Sequence, residues 1–252
     1  MLSYLQDGRV AVWTLSRPPV NAIDEEWLSD LHKALDEIAD KGGVSVLLVR
    51  SDLKVFCGGA NLNLIRGSFA SAEGADAMIV SIRGIQDLYT RIEQLPQVTV
   101  AEINGAAMGG GLELALSCDF RIAAHEARMA LPESGLGLLP GAGGTQRLTR
   151  LCGPGVSRRL ILRAEAVDGA TAEALGIVQW AVPRDELAAR AEELVGSLAA
   201  MPAQALAECK RCMLDHFDPD RDGYETELEG TRRLLDDPET RTRVAAFLDK
   251  VG

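Results

Sequence analysis

Residues 44–49, Val-Ser-Val-Leu-Leu-Val, form a run with one small polar member and no charge. A run so short and so apolar suits a strand covered on both faces, as in a parallel sheet. Its neighbours agree. Residues 9–16 (RVAVWTLS) read as a strand. Arg17-Pro18-Pro19 ends it, because proline offers the ladder no N–H. Residues 24–40 set Trp27, Leu28, Leu31, Leu35 and Ile38 at helical spacing, with Asp24 as N-cap. A second long helix is predicted over 75–95, closed by Pro96, then a strand over 98–103. A glycine turn, a short helical stretch and a strand at 120–123 follow. That order predicts an α/β fold of parallel strands with crossover helices.

From about Thr171 the periodicity is mostly helical, over 185–198, 202–215, 224–235 and 238–250. The chain therefore divides into a core over 1–195 and a helical C-terminal subdomain over 196–252. A chain of 252 residues can bury one sizeable core. With aromatics at 4%, packing rests on Leu, Val, Ile and Ala.

The net charge of −11 repels nucleic acid and anionic lipid. It does not exclude an anionic small ligand, which a few local cations and helix N-termini can hold. The five cysteines, an odd number in a chain large enough to do without disulfides, point to a reducing compartment. Residues 1–10 carry Asp7 and Arg9 and lack an apolar stretch of signal-peptide length. No uncharged apolar run approaches the roughly 20 residues of a membrane span. A cytoplasmic location is the expectation.

Three segments carry chemistry. The first is Val55-Phe56-Cys57-Gly58-Gly59-Ala60-Asn61-Leu62. Adjacent glycines let backbone N–H groups approach a ligand, although pattern alone also fits a plain turn. In the second, Asn104 to Glu113, the run Gly109-Gly110-Gly111 opens a helix whose first N–H groups lack intrahelical partners. Such groups suit a developing oxyanion, and close helix packing is the alternative. Glu113 lies among Leu112, Leu114, Ala115 and Leu116. It is either a dipole or capping-box partner or a carboxylate with a task. The third, residues 131–148, is a glycine-rich loop carrying Glu133. Its Gly141–Gly144 stretch reads as a phosphate cradle or a flexible connection, without the Gly-Lys-Ser/Thr ending of a P-loop. Together, two donor loops and two carboxylates in apolar surroundings can polarise a thioester carbonyl and share acid and base roles.

These segments resemble the enoyl-CoA hydratase/isomerase (crotonase) superfamily. FCGGANL is similar to the family's first oxyanion loop, NGAAMGGGLELALSCDFRIAA to its second and PESGLGLLPGAGGTQRL to its catalytic-glutamate loop. SRPPVNAID is similar to its acyl-CoA-binding turn. The likeness runs from about residue 3 to 250. It implies a ββα spiral core with a helical tail, assembled as a homotrimer or a hexamer of paired trimers. It implies oxyanion donors at Ala60 and Gly110 and catalytic glutamates at Glu113 and Glu133. The expected reaction is syn hydration of a 2-enoyl-CoA. Coenzyme A is part of the substrate, and no separate cofactor or metal is called for. Contacts to the thioester are expected from Ala22, Gly58, Asn61, Leu62, Gly109, Pro132 and Gly141, with Lys54 and Lys250 as cations for the CoA phosphates. The family commonly has Asp where this chain has Asn61, which keeps the shape and loses the charge. An isomerase, or an acyl-CoA-binding homologue without turnover, are the alternatives, and retention of both glutamates favours hydration. Acyl chain length and pathway are not legible. The polar helix and loop over 63–76 are expected to shape the acyl tunnel.

Cys209-Lys210-Arg211-Cys212 has CxxC spacing on a helical stretch, whose cations could lower a thiol pKa. Without a second CxxC or a suitable histidine, it reads as plain helix rather than a zinc site. His32, His125 and His216 are scattered and suggest no nucleophilic dyad.

Overall fold

Strand β4 (Val98–Ile103) is buried at all six positions, and β3 (Val46–Ser51) at all but one. Apolar side chains on both faces leave such strands stable only between layers. The computed structural model, which describes residues 2–41 and 43–251, places them at the centre of a six-stranded sheet. Its order is β1 (Leu2–Asp7), β2 (Val10–Leu15), β3, β4, β6 (Phe120–Ala124), β9 (Trp180–Val182). All pairings are parallel except β1 with β2, an edge hairpin turning at Gly8 with φ +54°. A second sheet joins the short strands β5 (Ala107–Met108), β7 (Arg128–Ala130) and β8 (Val167–Asp168).

The helices are α1 (Glu25–Lys41), α2 (Leu62–Ser68), α3 (Ala72–Glu93), α4 (Gly110–Leu116), α5 (Gly144–Leu162), α6 (Gly169–Ala174), α7 (Leu187–Ala199), α8 (Ala203–Asp215), α9 (Gly223–Asp236) and α10 (Pro238–Val251). As expected, Asp24 caps α1, accepting from Trp27 N at 3.1 Å. Helix α3 starts at Ala72, ahead of the expected 75, because Ser71 caps it by accepting from Gly74 N. Helix α7 lies along β2, β3, β4 and β6, and α8 reaches β4. There Lys210, 4% exposed, donates to Gln97 O at 3.0 Å and pairs with Asp119 at 2.7 Å.

As expected, the stretch after Thr171 is mostly helical; the short strand β9 interrupts it and closes the main sheet. At Cys212 the charge of Arg211 lowers the thiol pKa, but burial outweighs it and the net shift is upward. No helix among the described residues is long and apolar enough to cross a membrane.

Candidate active site

The first glycine segment is held along both edges. On one side Gly58 N donates to Val20 O, Ile23 N to Gly59 O and Asn61 N to Ile23 O, at 2.8–2.9 Å. On the other, Phe56 N and Cys57 N donate to Ala106 O, and Met108 N to Cys57 O, at 3.0 Å. The parallel bridge between Ile23 and Ala60 uses the peptides flanking Ala60, so the N–H of Ala60 itself faces away from Ile23.

The second segment packs so closely on the first that side chains are excluded. A methyl group at Gly111 would lie 2.2 Å from Cys57 O, and one at Gly59 (φ +90°) 2.6 Å from Met108 O. A methyl at Gly110 would fall 2.8 Å from Ile23 Cδ1 and 3.9 Å from Ala60 N. Ala60 and Gly110 are partly open, whereas Gly59, Gly109 and Gly111 are buried. Among the described residues neither Ala60 N nor Gly110 N has a protein acceptor. The arrangement leaves two adjoining amides without a protein acceptor.

Glu113 projects from α4 and is 2% exposed. It does not turn back to cap its own helix. Its Oε1 accepts from Gly144 N, the first amide of α5, at 2.7 Å. A methyl at Gly144 would sit 2.9 Å from that oxygen. The Gly141–Gly144 stretch is therefore a carboxylate cradle, not a phosphate one. Burial pushes the Glu113 carboxyl up to about 7, with the field of Glu133 adding. Bonding to the Gly144 and Ala142 backbone and the charge of Arg147 oppose the rise.

Glu133 opens a 3₁₀ turn, Glu133–Leu136, and its carboxylate lies over Gly109. A methyl at Gly109 (φ +51°) would stand 2.5 Å from Glu133 Oε1. Oε2 of Glu133 is buried with no protein partner. Burial raises this carboxyl too, opposed by its own backbone. Two carboxylates with raised affinity for protons thus stand beside two free amides.

The other expected site residues divide. Asn61 caps α2, accepting from Asn63 N at 3.0 Å, and its side chain bonds Asp24, which also pairs with Arg17. A carboxylate at position 61 would face Asp24 with like charge, which accounts for the amide. Ala22 turns its carbonyl to Arg17 Nη1 at 3.4 Å. Gly58 lies against Val20, Gly109 N donates to Ala130 O, Pro132 leads into the Glu133 turn, and Gly141 O accepts from Gln86 Nε2 at 2.6 Å. The side chain of Leu62 lies outside the described residues. Lys54 and Lys250 are exposed, and among the described residues no bond from either reaches the carboxylates or glycine loops. No group of three or more His, Cys, Asp or Glu among the described residues could hold a metal ion.

The chain from residue 6 to residue 250 matches the family described as "Enoyl-CoA hydratase/isomerase". It belongs to that family. A "Probable enoyl-CoA hydratase" of Bacillus subtilis is 34% identical over 99% of this chain and 96% of its own. A "Short-chain-enoyl-CoA hydratase" of Clostridium acetobutylicum is 32% identical over 97% and 93%. The crystal structure of an enoyl-CoA hydratase from Geobacillus kaustophilus superposes with a TM-score of 0.92 at 30% identity, covering 99% of this chain and 94% of that one. The crotonase fold expected from the sequence is thus present over nearly the whole chain.

Sequence reading of this crotonase-fold chain missed the supports of the site. Gly144 was hidden in a glycine cluster. Arg147, 7% exposed, follows in α5; it donates to Ala142 O at 3.0 Å and to Glu93 Oε2 at 2.9 Å. Tyr89 on α3, fully buried, donates to Gly110 O at 2.8 Å. Helical spacing marked α3 as a packing element and carried no sign of these bonds.

Proposed function

We propose that the chain hydrates 2-enoyl-CoA thioesters to 3-hydroxyacyl-CoA. The observation that carries this is the pair of carboxylates with raised pKa, buried Glu113 and half-buried Glu133, beside the free amides of Ala60 and Gly110. The amides receive the thioester oxygen as negative charge builds on it. The carboxylates hold one water. Ionised Glu113 takes a proton from it as its oxygen bonds to Cβ, and protonated Glu133 gives a proton to Cα. One water is consumed, and the enzyme's proton count is restored by exchange between the two carboxyls and solvent.

Further parts of the reading rest on the family. Lys54 and Lys250 serve the CoA phosphates, Lys250 from a neighbouring subunit. Residues 196–252 form an oligomerisation subdomain, supported by exposed Leu228, Leu235, Phe247 and Leu248 on α9 and α10. The chain works in the cytoplasm, supported by five free cysteines.

The test is loss of the enoyl absorbance of crotonyl-CoA. Wild type should turn over, and Glu113→Gln and Glu133→Gln should each fall by ~10²-fold or more in kcat. A wild type that binds 2-enoyl-CoAs of several lengths without hydrating them refutes the reading.

A further inference from the structure

One stripe of α3 touches both loops of the site. Gln86, Tyr89 and Glu93 are spaced three and four residues apart and so share a helix face. Gln86 donates to Gly141 O at 2.6 Å. Glu93 holds Arg147, which grips Ala142 O. These contacts fix the loop that delivers Gly144 N to Glu113. Tyr89, between them, donates to Gly110 O at 2.8 Å.

The Tyr89 hydroxyl is unexpected on packing grounds. Tyr89 is fully buried, as Ile85, Leu88 and Ile92 of the same helix are buried, and a phenyl there would leave no polar atom to satisfy. Burial and the nearby Cys57 and Glu113 hold the phenol protonated, so it acts as a donor. Its acceptor belongs to the residue whose own N–H is free. Gly110 has no side chain, and its carbonyl and amide flank one Cα. Anchoring the carbonyl therefore restricts the rotation that would swing the amide.

We propose that Tyr89 is a positioning residue whose hydroxyl, bonded to Gly110 O, aims the Gly110 amide at the thioester oxygen. The inference rests on the reading of Gly110 as a donor to that oxygen. A misaimed donor costs less than an absent one, whose loss is worth about 10²–10³-fold in kcat. Tyr89→Phe should therefore lower kcat by roughly 10-fold, with KM for crotonyl-CoA changed less than about twofold, as for an interaction made in the transition state.

A second readout does not depend on turnover. A 3-ketoacyl-CoA bound as its enolate carries negative charge on the thioester oxygen, whereas butyryl-CoA does not. Tyr89→Phe should weaken binding of acetoacetyl-CoA by roughly 10-fold and leave butyryl-CoA nearly unchanged. Equal loss for both ligands, or no loss for either, overturns the proposal, as does a Tyr89→Phe protein that fails to fold, which would make the hydroxyl a structural requirement. If wild type does not hydrate crotonyl-CoA, the hydratase reading fails separately, and the ligand pair still decides the role of Tyr89.

Discussion

Replacing Glu113 by Gln should stabilise the protein while lowering its kcat by ~10²-fold or more, and the gain in stability should grow with pH. The Glu113 carboxyl is 2% exposed and its pKa stands at about 7, raised from 4.5 chiefly by burial. The folded protein thus binds this proton more tightly than the unfolded chain. Stability is lost as pH rises from 4.5 towards 7 and stays lost above. At about 1.4 kcal/mol per pH unit, the climb from 4.5 to about 7 amounts to about 3 kcal/mol. Gln keeps an oxygen for Gly144 N and never ionises. Its NH2 lacks an assigned partner, which at about 1–3 kcal/mol offsets much of the gain and leaves about 0–2 kcal/mol at pH 8.5. About 2 kcal/mol of the difference should develop between pH 5.5 and 8.5. The measurement is urea unfolding of wild type and Glu113→Gln at those two pH values and one protomer concentration, since assembly shifts apparent stability. An advantage equal at both pH values would refute the burial argument, because the ionisation of Glu113 would then cost the fold nothing.

Two further outcomes follow from the same geometry. In wild type, kcat/KM for crotonyl-CoA should follow a bell, rising with pH as Glu113 ionises into its base form and falling as Glu133 loses the proton it delivers. A profile flat from pH 5.5 to 8.5 would remove Glu113 from that role. Gly109→Ala puts a methyl 2.5 Å from Glu133 Oε1 at φ +51°. It should cost about 1–3 kcal/mol in denaturant unfolding and ~10²-fold in kcat by displacing the carboxylate. Wild-type kinetics in that variant would mean that Glu133 has room to move.

Periodicity carried the elements whose apolar residues recur at a regular spacing, buried or not. The strand expected at 98–103 is β4 with the same ends, and the tail helices fall within two residues of expectation. Elements stabilised by contacts distant in sequence escaped. Strands β5, β7, β8 and β9 have two or three residues each, too few for a period to register, and exist because the chain brings partners to them. β1 alternates weakly and is mostly exposed. Helix α5 was invisible because Gly153 (φ 75°) and Pro154 break its pattern into two helical runs. At the site, the glycine runs and carboxylates stood out because their residue types are costly where they lie. The N–H of Gly144 and the hydroxyl of Tyr89 act through backbone atoms, which no residue pattern announces.

The contact between the two glycine segments separates what can change in this protein from what cannot. The two free amides belong to the main chain, so no substitution other than proline can delete them. At positions 59, 110 and 111 the restriction is on size, since the first atom of any side chain would meet Met108 O, Ile23 or Cys57 O. The carboxylates are the reverse case: removable side chains on two separate elements, each resting on its own glycine. On the hydratase reading, a descendant could exchange Glu113 or Glu133, and with them the reaction, while its hold on a thioester carbonyl stayed as it is. The glycines would then persist as a record of the ligand, and the acidic positions as a record of the chemistry.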